Sequence, residues 1–218
     1  MAELNLMKKL PRPKRAVATR LQKKTQEAIE ISRLFGREYF DGPRSYGYGG
    51  YHYDGRWIPV AEDIVEHYQL GPGSRVLDVG CAKGFLVKDL MAVCPGLEAF
   101  GLDISEYAIL NCEPEVIGRL HLGSCDHLPF PDHSFDAVIA KDVIHNLDRA
   151  GCLEAVREIE RIAPGRGFIQ VDSYRSEQEK TAFLDWVLTA KTHYDPAGWR
   201  KLFEEAGFTG DYHWTIIG

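Results

Sequence analysis

The run RVLDVGCAKGFL, residues 75–86, closes a β-type stretch on Asp78, turns through Gly80 and Gly84, and enters a helical stretch at Phe85. Glycine allows a sharp turn and close approach of backbone to a ligand, and the first turn of a helix offers free N–H groups to a carboxylate or phosphate. Two further acids repeat the placement. Asp103 ends a second strand pattern 25 residues after Asp78, and Asp126 follows a third in GSCDHLPF. A carboxylate in the second place can accept hydrogen bonds from both hydroxyls of a ribose, and one in the third from an exocyclic amine such as that of adenine. Each acid alone is an ordinary turn or cap residue. In this order they are expected to converge on one rim of a sheet.

The elements that must hold them alternate. β-branched runs fall at RVLDV (75–79), EAFGLDI (98–104), RLHLG (119–123), FDAVIA (135–140) and GFIQVD (167–172), with helical patterns near 85–93, 105–112 and 149–162. Strand–helix alternation implies right-handed crossovers and a parallel sheet covered on both faces. Ser176 with Glu179 forms a capping box for a helix at 177–187, and Asp195–Pro196 opens another that closes at Gly207. A final run, YHWTII (212–217), is placed to pair antiparallel at the sheet edge. The fold expected is a doubly wound α/β fold: a mostly parallel, seven-stranded sheet, helices on both faces, an antiparallel C-terminal edge, and an N-terminal helical and aromatic extension.

That extension has two parts. Pro11 and Pro13 break regular structure, so residues 1–20 read as a flexible basic arm; residues 21–58 read as a helix over Leu21–Phe40 followed by a Tyr/Gly-rich cap; and 59–218 is the main domain. The segment YFDGPRSYGYGGYHYDGRW (39–57) is too glycine-rich for a helix and too aromatic for a solvated linker. Its Tyr46, Tyr48, Tyr51, Tyr53 and Trp57 either wall a ligand site from water or dock the N-terminal helix.

VLDVGCAKG, GLDIS, CDHLPFPDHSFDAVIA and EIERIAPGRGFIQV together resemble the class I S-adenosylmethionine-dependent methyltransferases over residues 60–218. The resemblance implies S-adenosylmethionine as cofactor. It assigns the methionine end to Asp78, Gly80 and Gly84, the ribose to Asp103 and the adenine to Asp126 with His127, and it counts Cys81, Ala82, Ile104 and Lys141 among the cofactor-binding residues. Ala82 stands where the family commonly has a middle glycine, and Lys83 beside it either meets the cofactor's carboxylate or is solvated. Gly80 and Gly84 do not give the G-x-G-x-x-G spacing of a nicotinamide dinucleotide site, which ranks a dinucleotide-dependent oxidoreductase or epimerase last.

Methyl transfer asks the protein mainly to hold nucleophile and methyl in line with water excluded. A hydroxyl or ammonium acceptor also needs a base, for which AKDVIHNL (140–147) and the end of the GFIQVD strand supply His145, Asp142 and Asp172, with Asn146 and Tyr174 nearby. The implied reaction is methylation of an O or N nucleophile on a small molecule: a metabolite, a sugar or a natural-product intermediate.

Composition bounds the partners. The chain has 218 residues, 44% hydrophobic and 27% charged, the balance of one ordinary folded domain. Residues 1–24 hold eight Lys or Arg against Glu3, a surplus of seven that leaves −13 on the rest of a chain whose net charge is −6. The basic arm makes RNA the second candidate acceptor, and the acidic body ranks nucleic acid below a small molecule. No apolar run is long enough to span a bilayer and no secretory leader pattern follows the basic start, so a cytoplasmic site with no membrane partner is expected. The five cysteines are scattered and lack a C-x-x-C pair, against a disulfide framework or a zinc site. Nothing in the residues fixes an oligomeric state or the role of the arm.

Overall fold

In the computed structural model, which describes residues 1–11 and 15–217, seven strands form one sheet. They are β1 (Ala2–Glu3), β2 (Arg75–Val79), β3 (Glu98–Asp103), β4 (Leu120–Leu122), β5 (Ala137–Lys141), β6 (Gly167–Ser173) and β7 (Asp211–Ile216), in the spatial order β1-β7-β6-β5-β2-β3-β4. Every pairing is parallel.

The antiparallel C-terminal edge is therefore corrected: β7 runs parallel to β6, with Phe168 opposite Asp211 and Ser173 opposite Ile216. The reason lies in the connection. The helix Pro196–Ala206 packs back along the sheet and stops at Gly207, whose φ of 75° is a left-handed cap. A strand, a crossover helix and a second strand then return in the same sense. The seventh strand comes from the other end of the chain, where Ala2 and Glu3 pair with Asp211 and Tyr212.

The helices are α1 (Val17–Lys23), α2 (Gln26–Arg33), α3 (Arg37–Phe40), α4 (Ile58–His67), α5 (Phe85–Val93), α6 (Glu106–Leu110), α7 (Arg149–Ile162), α8 (Glu177–Trp186) and α9 (Pro196–Ala206). One face of the sheet buries Leu77, Val79, Val138, Ala140, Ile169 and Val171 against α7 and α9, through Val156, Ile159, Trp199 and Phe203. The other buries Val76, Ala99, Ile139 and Phe168 against α4 and α5, through Val60, Ile64, Val87 and Leu90. Alternate residues of each strand serve opposite faces, as a two-sided parallel sheet requires.

The single helix expected over Leu21–Phe40 is three short ones. Thr25 caps α2, accepting from the Ala28 N–H at 3.1 Å, and Phe35 adopts φ 48° between α2 and α3. The start of the arm is docked: the Leu4 N–H donates to Tyr212 O at 2.9 Å, Leu6 and Met7 are buried, and Lys9 pairs with Asp63 at 2.7 Å. Arg12, Pro13 and Lys14 lie outside the described residues. No described helix is long and apolar enough to cross a membrane.

Candidate active site

Strand order reverses between β2 and β5, where Asp78 lies opposite Ile139 and Val79 opposite Ala140. Open α/β sheets bind ligands at this point, outside the carboxyl ends of the strands. A cavity of about 270 Å³ opens here, floored by Asp78, Gly80, Cys81, Ala82 and Asp103.

The turn above β2 is held by its own backbone. Gly80, Ala82 and Gly84 have φ of 77°, 50° and 78°, and Ala82 takes that left-handed conformation at the place of the family's middle glycine. Its strain is offset because the Ala82 N–H donates to Asp103 Oδ2 at 2.7 Å. Gly80 has no room for a side chain, since a Cβ there would lie 2.9 Å from Val143 Cβ. The Ser105 N–H donates to Asp103 Oδ1 at 2.8 Å, so Asp103 is oriented at both oxygens and keeps lone pairs free for a ligand.

Burial dominates the electrostatics of the floor. Burial, then the charge of Asp103, raises the Asp78 pKa from 3.8 to about 8, and burial raises that of Asp103. Cys81, facing both acids, has its thiol pushed up mainly by burial. The cation that acts on Asp78 is Lys141, which is already paired with Asp142. A bound cation would relieve this floor.

The aromatic segment forms the roof. Tyr39, Phe40, Tyr48, Tyr51 and Trp57 line the cavity, and the Tyr51 ring stacks on Phe85 at 4.7 Å. Lys83 is neither solvated nor in the cavity wall. It is buried, and its Nζ donates to Asp41 Oδ2 at 2.7 Å and to Tyr51 O at 3.0 Å, while Tyr107 Oη donates to the same carboxylate at 2.7 Å. Although burial opposes it, these donors hold Asp41 down to about 2. The turn that cradles the ligand thus also clamps the roof. Tyr46 and Tyr53 fall outside the cavity: Tyr46 O accepts from Ser32 Oγ, and Tyr53 Oη donates to Asp89 at 2.6 Å.

Of the residues singled out from the sequence, Asp78, Gly80, Cys81, Ala82, Asp103, Ile104, Lys141 and Asp142 meet at this cavity. Gly84 lies beneath it, where a Cβ would come 2.8 Å from Val116 Cγ2. Asp126 and His127 are not in the wall; the chain after β4 crosses the rim at Gly123, Ser124 and Cys125 and then turns outward, with the His127 N–H donating to Ser124 O at 3.2 Å. His145 is buried off the cavity, its Nδ1 accepting from the Asp172 N–H at 3.2 Å. Asp172 also lies outside the wall, with Arg15 Nη1 3.9 Å from its Oδ1. Tyr39, Phe40, Arg33 and Lys191 line the cavity and were not singled out. Tyr39 and Phe40 stand at the edge of the aromatic segment, which is a signal of a kind; Arg33 and Lys191 belong to segments brought together only by the tertiary fold.

Asp142 is a further left-handed residue of the wall, with φ 56°. Burial would raise its pKa, but Lys141 and His145 outweigh it and hold the group below 3.8. One of its oxygens has no hydrogen-bond partner.

Comparison with known proteins follows the same lines. A family model described as Methyltransferase domain matches residues 77–171. The chain is 31% identical over 203 residues to the demethylmenaquinone methyltransferase of Symbiobacterium thermophilum, covering 75% of this chain and 80% of that one. It is 31% identical over 180 residues to cycloartenol-C-24-methyltransferase 1 of Oryza sativa subsp. japonica, covering 73% of this chain and spanning about half, 47%, of that relative's length. Among solved structures, the complex between the Haloferax volcanii Trm112 methyltransferase activator and the putative methyltransferase is similar with a TM-score of 0.56 at 25% identity, over 69% of this chain and 68% of the matched one.

Proposed function

The chain belongs to the class I S-adenosylmethionine-dependent methyltransferase family, and on that footing we propose that it transfers the methyl group of S-adenosylmethionine to an O or N nucleophile of a small molecule. The observation that carries the reading is the meeting of Asp78 and Asp103 with the left-handed turn Gly80–Ala82 on one cavity at the switch point of the sheet. The donor set fits the cofactor. Two buried carboxylates short of cations suit a ligand bearing a sulfonium and an ammonium, and Asp103, fixed by two backbone N–H groups, is poised to accept from paired hydroxyls.

Bound S-adenosylmethionine supplies a methyl carbon already activated by its positively charged sulfur. The protein's residues then do three things. Asp78, Asp103 and the turn hold one reactant; Tyr39, Tyr48 and Tyr51 exclude water and offer ring faces to positive charge; Asp142 accepts a hydrogen bond from the incoming nucleophile and orients it. The low proton affinity of Asp142 makes it a better orienting acceptor than a base. His145, with Nδ1 engaged, acts here as a brace between the turn after β5 and the end of β6.

A small acceptor is preferred to RNA. Lys8 and Lys9 are committed to Asp63, and Arg20 donates to the carbonyls of Arg44 and Ser45 at 2.9 and 3.1 Å, so the described part of the basic arm is engaged in docking. Titration calorimetry with S-adenosylhomocysteine and, separately, NAD tests the reading. Saturable binding of the first and none of the second is expected, and the reverse would overturn it.

A further inference from the structure

Beyond its floor, the cavity runs outward past Asp142 to a mouth formed by Arg33 and Leu34 at the end of α2, Asn146 and Leu147 after β5, and Lys191 before α9. Charge is segregated along this path. The acids Asp78 and Asp103 lie at the inner end and Asp142 is paired with Lys141, whereas Arg33 and Lys191 make no ion pair with any described acid. The two cations are adjacent: Arg33 Nη2 donates to Ala190 O at 3.4 Å, and the Lys191 N–H is anchored to His145 O at 2.9 Å. Both side chains are exposed, on a chain whose net charge is −6. An unpaired basic mouth above an orienting carboxylate with one oxygen still lacking a donor describes the two ends of one ligand.

We propose that the acceptor carries an acidic oxygen group, a carboxylate or a phosphate ester, which docks between Arg33 and Lys191 and directs a hydroxyl or amine of the same molecule onto the Asp142 carboxylate. The assignment rests on the methyltransferase reading and adds the charge class of its substrate. Guanidinium and ammonium groups recognise such oxyanions by charge-assisted hydrogen bonds, and the exposed Leu34 with Leu147 leaves room for an apolar body between the ends.

The test uses the full chain saturated with S-adenosylhomocysteine, whose binding by the unaltered protein checks the methyltransferase reading separately. Its thermal midpoint is followed with inorganic phosphate, with acetate and with ethylammonium, each against sodium chloride at matched ionic strength. Phosphate or acetate should raise the midpoint beyond the chloride control, whichever does so naming the acidic group. Arg33→Gln and Lys191→Gln, with folding checked by circular dichroism, should each weaken the apparent affinity for that anion about tenfold. Stabilisation by ethylammonium alone, no difference from chloride, or full retention of the anion effect in both variants would each overturn the proposal.

Discussion

Replacing Asp78 by Asn should stabilise the ligand-free protein and impair it as a cofactor binder. The carboxyl is 6% exposed, and burial followed by the Asp103 charge moves its pKa from 3.8 to about 8. The unfolded chain releases this proton near the ordinary value and the folded chain near the raised one, so between them the folded state binds more protons and stability falls as pH rises. At ~1.4 kcal/mol per pH unit, the interval costs the wild type about 5 kcal/mol by the time pH reaches the upper value. Asn cannot ionise, so Asp78→Asn lacks this slope. The assay is urea unfolding of both proteins without ligand across pH 5 to 8, with the difference between the two curves isolating this one group. The variant should gain steadily on the wild type toward the alkaline end, and its affinity for S-adenosylhomocysteine should fall more than ~tenfold through loss of a charged acceptor. Parallel stability curves would refute the claim that this carboxyl is kept short of a cation until a ligand arrives.

Asp103→Ala should weaken S-adenosylhomocysteine binding more than ~tenfold by calorimetry, because it removes an acceptor held by two backbone donors. Gly80→Ala forces a side chain onto φ 77° and against Val143 at 2.9 Å, and should cost about 2 to 4 kcal/mol in urea unfolding. Lys83→Met takes the charged donor from Asp41 and from Tyr51 O; loss of about 1 to 3 kcal/mol of roof attachment should appear as faster amide exchange over residues 39–53 and faster release of S-adenosylhomocysteine. Phe203→Ala empties a fully buried ring position among Trp199, Phe208 and Trp214, and should cost about 3 to 5 kcal/mol, read from the denaturant midpoint.

What could be read from the chain follows the range of the forces involved. Local patterns located the strands at 75–79 and 98–104 and the helices at 85–93 and 149–162 nearly to the residue, because β-branched runs, glycine stops and helical spacing act within a few positions. Asp78 and Asp103 could be placed together for the same reason, each lying at the carboxyl end of one of two neighbouring strands. Asp126 could not, since it lies past a turn whose direction is set by contacts rather than spacing. The edge strand was misread because YHWTII looks the same in either direction; its orientation is decided by the helix before it. The pairings of Lys83 with Asp41 and of Arg33 with Ala190 span 42 and 157 residues, and no window of sequence contains both partners.

The parallel pairing of Ala2 and Glu3 with Asp211 and Tyr212 joins residues 209 positions apart in the sequence. The segment that follows is seated through Leu6 and Met7, buried in the cluster that also holds Val60 and Ile64. Pairing of this edge is of the slow, long-range kind that chain topology imposes, and until it forms β7 leaves a row of unpaired backbone groups open to a neighbouring copy.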